Sequence, residues 1–256
     1  MTIALVGFAC LLLLCFLALP LGYSTLIAGL VGFAYMRGWD WHAAVTMMSQ
    51  QIVEIGANYG LSVIPLFLLM GVFIHRANIS EDLFEASYAL LGKYRGGLAQ
   101  STVLACAGFS AVSGSSLATA ATMTKVAMPH MRRYHYDDAL SSGVIAAGGT
   151  LGIMIPPSVP LVIYGLVAEQ DIGQLFIAGV GPGIMLVALY MAAVVAVVWA
   201  RPGAGPAGEA VPRAKRFRAY RNVWPVIALF VLVLGGIYFG VFTPTEASGI
   251  GATGAG

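Results

Sequence analysis

Five runs of this chain are apolar for close to the length that crosses a lipid bilayer: Ile3–Leu19, Leu21–Met36, Tyr59–Ile74, Leu175–Trp199 and Val223–Phe239. A spanning helix needs about 20 predominantly apolar residues. Little remains with which to face water, since charged residues make up 9% of the chain where a soluble domain carries about 25%. The mean hydropathy of +0.86 agrees. A soluble enzyme, a nucleic-acid binder and a disordered tail are excluded, and an all-α polytopic membrane protein remains, with the lipid bilayer as its solvent. The first run lacks a positive leading region and a small-x-small cleavage site, so it reads as a retained span. Cys10, Cys15 and Cys106 lie in apolar segments without CxxC spacing, and neither a disulfide framework nor a zinc site is expected.

Two further apolar regions do not fit a simple crossing. Leu98–Met131 is too long for one, and Ser113-Gly114-Ser115-Ser116 interrupts it midway. Each arm of roughly 15 residues makes about 22 Å of helix, short of the roughly 30 Å hydrocarbon core. A re-entrant helical hairpin is predicted, its first helix ending near Val112 and its second starting near Leu117. Ala139–Val167 is broken at Gly148-Gly149-Thr150 and again at Pro156-Pro157-Ser158-Val159-Pro160. Proline removes an N–H and clashes with the preceding turn, so a discontinuous transmembrane helix is predicted, with halves ending near Gly149 and resuming near Val159. Trp39–Ile55 and Ser80–Leu91 are too polar to span and read as interfacial helices.

Basic residues set the orientation. Arg76, Lys93, Arg95, Arg132 and Arg133 surround the hairpin, and Arg201, Arg213, Lys215, Arg216, Arg218 and Arg221 precede the last span. By the positive-inside rule that side is cytoplasmic. Six crossings result, beginning at Ile3, Leu21, Tyr59, Ala139, Leu175 and Val223, with the N-terminus periplasmic in a bacterial inner membrane. Thr243–Gly256 then opens another apolar segment and stops. Pro20, Ser24, Ala28 and Gly32 recur at a constant offset as Pro244, Ser248, Ala252 and Gly256, on the opposite side of the membrane. The pattern predicts the first of two inverted repeats, the architecture of secondary transporters.

The hairpin tip and the broken crossing bring four helix ends to mid-membrane depth. Helix C-termini present carbonyls with partial negative charge, and N-termini present N–H groups with partial positive charge. The two C-terminal ends suit a dehydrated Na⁺, with Ser113, Gly114, Ser115, Gly149 and Thr150 as its candidate ligands. The two N-terminal ends suit a carboxylate, with Ser115, Ser116, Thr119, Pro156, Pro157 and Ser158 as the candidate substrate contacts. Ser116 and Ser158 are expected as N-caps facing the anion. No cofactor is expected, and no metal beyond Na⁺.

Three motifs carry a family resemblance: Phe109–Ala120 around the tip, Gly148–Ser158 around the break, and Gly240-Val241-Phe242-Thr243-Pro244-Thr245-Glu246-Ala247. Together they resemble the large membrane (M) subunit of TRAP transporters, the tripartite ATP-independent periplasmic family. The resemblance implies an elevator-type, Na⁺-coupled importer of organic acids: a dicarboxylate, sialic acid or another sugar acid. It implies a periplasmic substrate-binding protein that delivers the substrate and a small membrane (Q) subunit that braces the scaffold. Family members are considerably longer, so this sequence corresponds to the N-terminal half of one. Residues 1–97 become scaffold spans and interfacial arm helices, and 98–200 half of the transport domain, with hairpin 98–131, broken helix 139–167 and span 175–199. Residues 201–222 become a basic cytoplasmic loop, and 223–256 a scaffold span with the start of the second repeat.

Other readings have less behind them. A self-contained ion-coupled carrier, or a channel whose re-entrant loop forms a filter, is the alternative; a filter calls for symmetric repetition. An intramembrane serine protease using Ser113 or Ser115 needs a base at membrane depth, yet His42, His75, His130 and His135 fall outside the expected spans and no GxSxG occurs at the tip. No GxxxxGK[ST] loop is present for an ATP-driven pump. Gly249–Gly254 matches GxGxxG without a βαβ context. His130 and His135 sit beside Arg132 and Arg133, which oppose a bound cation. The basic run Arg213–Arg221 is a topology signal that can also attract anionic lipid. Glu54 and Glu246 read as solvated or capping residues rather than a proton relay.

Overall fold

The computed structural model describes residues 2–77 and 79–256; Met1 and Asn78 lie outside the described residues. Every regular element among them is helical. The chain divides into two compact units, one running to Tyr59 and one from Gly60 onward.

The first unit holds α1 (Thr2–Phe16), α2 (Leu21–Met36) and α3 (Trp41–Gly56). α1 packs on α2, and α2 on α3. Pro20 opens α2, where its missing N–H costs no helical bond. Asp40 caps α3, its Oδ1 accepting the N–H of Ala43 at 3.0 Å. With 15 and 16 residues, α1 and α2 reach only about 22–24 Å, so both expected spans form helices shorter than a typical hydrocarbon core. Phe8, Phe16, Leu21 and Tyr23 lie exposed on them, a surface suited to lipid.

The second unit follows a short 3-10 turn, Tyr59–Ser62, and runs through α4 (Val63–Arg76), α5 (Ile79–Leu91), α6 (Gly97–Ser113), α7 (Ser116–Arg133), α8 (Asp138–Met154), α9 (Val159–Val167), α10 (Ile172–Ala200), α11 (Arg213–Tyr238) and α12 (Pro244–Ala255). Among the described residues, four segments are long and apolar enough to cross a membrane: Tyr59–Arg76, Asp138–Val167, Ile172–Ala200 and Arg213–Tyr238. One buried cluster joins α5, α6, α7, α8 and the C-terminal half of α10 around Phe109, Met123 and Leu151. A second joins α4, α9, α11 and α12 around Phe67, Met70, Val162 and Val233. α12 begins with a full capping box: the Glu246 N–H donates to Thr243 Oγ1 at 3.3 Å, and the Thr243 N–H donates to Glu246 Oε2 at 2.8 Å. Glu246 is thus the capping residue expected from the sequence.

Two boundaries differ from the sequence reading. α8 does not end near Gly149 but runs through Gly148-Gly149-Thr150 to Met154. Its glycines permit close packing instead of breaking the helix: an added Cβ would lie 2.6 Å from Cys106 Sγ at Gly148 and 2.9 Å from the Ala120 Cβ at Gly149. The break is confined to Ile155–Ser158, where the Pro156–Pro157 bond is cis. The second difference is the basic segment, which is loop only from 201 to 212. Arg213–Arg221 forms the first turns of α11, continuous with the apolar segment that follows, because Arg and Lys are good helix formers.

The 201–212 loop lies across two turns of the hairpin region. The Gly96 N–H donates to the Gly205 carbonyl at 3.0 Å, Asp137 N–H to Ala204 at 3.1 Å, and Gly208 N–H to Gly92 at 3.0 Å. The Tyr136 hydroxyl donates to the Pro206 carbonyl at 2.8 Å and accepts the Leu98 N–H at 3.2 Å. These bonds tie the α10–α11 loop to the α5–α6 and α7–α8 turns.

Candidate functional site

α6 and α7 form an antiparallel pair joined by a two-residue turn. Gly114 ends α6 in the left-handed region, φ 59°, and its N–H donates to the Ser110 carbonyl at 3.0 Å. Glycine suits this position because a side chain is strained there. Ser115 then caps α7, its hydroxyl accepting the Ala118 N–H at 3.3 Å. The cap is therefore Ser115 and not Ser116, which is the first helical residue.

The turn meets the break between α8 and α9. The Val159 N–H at the start of α9 donates to the Gly114 carbonyl at 3.4 Å. A Cβ on Gly114 would lie 2.5 Å from the Pro157 carbonyl oxygen, and one on Gly152 would lie 2.8 Å from the Ser115 carbonyl. α4 crosses the same place, with Gly71 against the backbone of Ser113. The hairpin tip, the end of α8 and the start of α9 are thus held together by backbone contact that only glycine permits.

Beneath the tip lies a buried group of hydroxyls. Thr119 donates to the Ser115 carbonyl at 2.8 Å, so its single proton is committed. The Ser113 hydroxyl lies 3.0 Å from Thr119 Oγ1, and that of Ser110 lies 3.4 Å away; both then serve as donors to Thr119. Ser110 and Thr119 are fully buried. The Ser113 oxygen keeps its lone pairs for another partner, beside the carbonyl-bearing C-terminus of α6.

The other expected site residues divide clearly. Ser115 and Ser116 are half-buried, while Pro156, Pro157 and Ser158 are buried. Ser158 holds the N-cap position of α9 without capping it; its hydroxyl donates to the Ile153 carbonyl across the break. Thr150 faces away from the tip. Its hydroxyl donates to the Ala147 carbonyl at 2.7 Å and lies 2.8 Å from the Tyr190 hydroxyl of α10. Gly149 packs on Ala120 of α7. The structure therefore gathers Ser113, Gly114, Ser115, Ser116, Thr119 and the Pro156–Ser158 backbone, and turns the Thr150 side chain toward α10.

Some residues near the tip escape sequence reasoning. Thr122 Oγ1 lies 3.4 Å from His75 Nδ1, and the His75 ring meets Phe109 edge-on at 6.4 Å between centroids. His75 closes an apolar helix, which alone signals nothing. The signal that could have found Gly152 is its small-xxx-small spacing from Gly148, a pattern of close helix packing. His130 stacks against Phe84, and His135 sits in the α7–α8 turn with φ 57°.

A helical membrane bundle in which a hairpin tip docks on a broken helix has the build of a secondary transporter. Comparison with known proteins gives the family. Residues 8–255 match the sequence model of the tripartite ATP-independent periplasmic transporter DctM component, and the chain belongs to that family. It is 40% identical over 209 residues to the C4-dicarboxylate TRAP transporter large permease protein DctM of Pseudomonas aeruginosa, covering 82% of this chain and 48% of that protein. It is 34% identical to the ectoine TRAP transporter large permease protein TeaC of Halomonas elongata, covering 91% and 53%, and 31% identical to the sialic acid TRAP transporter permease protein SiaT of Haemophilus influenzae, covering 94% and 38%. These are permeases, not enzymes. The chain spans about half the length of the curated relatives it matches, or less.

Proposed function

We propose that this chain forms part of the permease of a Na⁺-coupled secondary importer of organic acids, one that receives its substrate from a periplasmic binding protein and works beside a small membrane subunit. The observation that carries this reading is the junction of Gly114 with Val159, which joins two helix ends and two helix starts around one group of hydroxyls. Ser113, Gly114, Ser115 and the carbonyl-bearing end of α8 at Met154 form the Na⁺ side, and Ser115, Ser116 and the start of α9 the carboxylate side. Family membership supports the partners, and the names of relatives that carry C4-dicarboxylates and sialic acid support an acid as cargo. The hairpin is re-entrant, the transport half moves as an elevator, and the chain lies in the inner membrane with its N-terminus periplasmic and its basic segments cytoplasmic. A second, inverted repeat completes the site.

The test is uptake into proteoliposomes by the full-length protein with its small subunit and loaded binding protein. C4-dicarboxylates and sialic acid are offered under an inward Na⁺ gradient. Accumulation that collapses when the gradient is dissipated is expected. Equal uptake with and without the gradient would overturn Na⁺ coupling.

A further inference from the structure

A cavity with cationic and hydroxyl groups on its wall lies away from the hairpin tip, between α5, α7 and α11. It has a volume of about 250 Å³ and is walled by Glu85, Tyr88, His130, Arg133, Tyr134 and Lys215, with Phe84 at its base. Three separate elements bring cationic or hydroxyl groups to one hollow. Arg133 and Lys215 form no ion pair among the described residues, and Glu85 is the single carboxylate on the wall. His130 is fixed by its ring, 5.2 Å from that of Phe84.

Two phenol hydroxyls meet at the wall of the hollow. Tyr88 accepts the Glu209 N–H at 3.0 Å, and its own proton is shared between Tyr134 Oη at 3.3 Å and the Glu209 carbonyl at 3.4 Å. The Tyr134 hydroxyl stands on the wall of the hollow. Burial and the Tyr134 hydroxyl push the Tyr88 phenol up to about 12, so it stays protonated at physiological pH. Arg216, which follows Lys215 in α11 and lies outside the cavity wall, has its Nε buried with no hydrogen-bond partner among the described residues. Arg133 and Lys215 against the single Glu85 carboxylate, with a phenol hydroxyl beside them, are the chemistry that holds phosphate oxygens.

We propose that this cavity binds a phosphate group, carried either by the headgroup of an anionic phospholipid or by a free anion. Its depth suits a headgroup. Lys215 precedes the apolar part of α11, which starts at Val223, by about 12 Å of helix. Basic pockets between transmembrane helices are typical headgroup sites. Because the walls come from α7 on one side and from α5 and α11 on the other, a bound phosphate clamps the second hairpin helix to that pair.

The test uses the full-length protein purified in a neutral detergent. Native mass spectrometry measures retention of phosphatidylglycerol against phosphatidylcholine, and thermal-shift titration measures inorganic phosphate. Phosphatidylglycerol is expected to be retained in preference. Arg133→Gln with Lys215→Gln should weaken it about tenfold or more, since two charge-assisted contacts are lost. Arg213→Gln with Arg218→Gln, on exposed positions outside the cavity, should change it less than about twofold. Tyr134→Phe keeps shape and charge and should give a smaller loss; it carries the test if the charge variant does not fold. Competition by millimolar phosphate supports a lipid phosphate at this site, and phosphate binding without lipid retention assigns the site to the free anion. Equal losses in the cavity and surface variants would overturn the proposal, as would retention of phosphatidylcholine equal to that of phosphatidylglycerol together with no response to phosphate.

Discussion

The Val159 N–H reaches across the break between α8 and α9 to the carbonyl of Gly114, 3.4 Å away, on a different helix pair. That approach depends on Gly114 in two ways: its φ of 59°, and the 2.5 Å that would separate an added Cβ from the Pro157 oxygen. Gly114→Ala combines a left-handed backbone penalty of about 1–2 kcal/mol with a clash against backbone. The full-length variant is expected to melt lower and to lose uptake. Gly143→Ala is the control, since nothing lies within 4 Å of its added Cβ; there the better helix former should stabilise by up to about 1 kcal/mol. Equal melting of the Gly114 variant and the parent would contradict the packing at the tip.

The α7–α8 contact offers a test by exchange. A Cβ on Gly149 would lie 2.9 Å from that of Ala120, so Gly149→Ala should destabilise by about 1–3 kcal/mol through overpacking. Ala120→Gly removes the opposing methyl. The double variant should recover part of the loss beyond additivity. Strict additivity of the two melting shifts would show that the methyls do not meet.

Much of this site was legible because its chemistry is local. Ser113-Gly114-Ser115 interrupts an apolar run and favours a helix end there, so the two helix ends at the tip fall within one residue of expectation. The position of the break was less legible, because glycine pairs and prolines both disfavour helix on propensity grounds. Packing distinguishes them: Gly148 and Gly149 let α8 approach α6 and α7, whereas the consecutive Pro156 and Pro157 remove two N–H donors in a row and end α8. The same limit applies to Thr150. Sequence shows a hydroxyl near a break, but only the rotation of α8 shows that it faces Tyr190. The loop from 201 to 212 carries no signal of its attachment, since its bonds use backbone groups of Ala204, Gly205, Pro206 and Gly208.

Ion dependence separates the two hydroxyls. Ser113→Ala removes an oxygen with free lone pairs beside the α6 C-terminus. The Na⁺ concentration for half-maximal uptake is expected to rise about tenfold, as for a lost hydrogen-bond-strength contact to a charge. Thr150→Val removes the bond to Tyr190 and is expected to lower stability by about 1 kcal/mol while leaving the Na⁺ dependence in place. Measured side by side in proteoliposomes, the reverse pattern would move the ion to the α10 side of α8.

The loop attachment has a pH signature. Burial raises the Tyr136 phenol above its ordinary value, outweighing the Leu98 and Ala99 N–H groups that lower it, and Tyr88 is pushed up to about 12. A raised phenol means that the fold favours the neutral form. Its stabilisation is complete below the unfolded value of about 10 and is lost as pH climbs from there through the folded value. A fluorophore attached through Gly203→Cys, in a background lacking Cys10, Cys15 and Cys106, reports the mobility of the loop; nothing lies within 4 Å of a Cβ at that position. Its anisotropy is expected to hold steady from pH 7 to about 9.5 and to fall between about 10 and 12. Tyr136→Phe removes the donor to the Pro206 carbonyl and the acceptor for Leu98, and should free the loop already at pH 7, with a stability loss of about 1–2 kcal/mol. Unchanged anisotropy in that variant at neutral pH would show that Tyr136 does not hold the loop down.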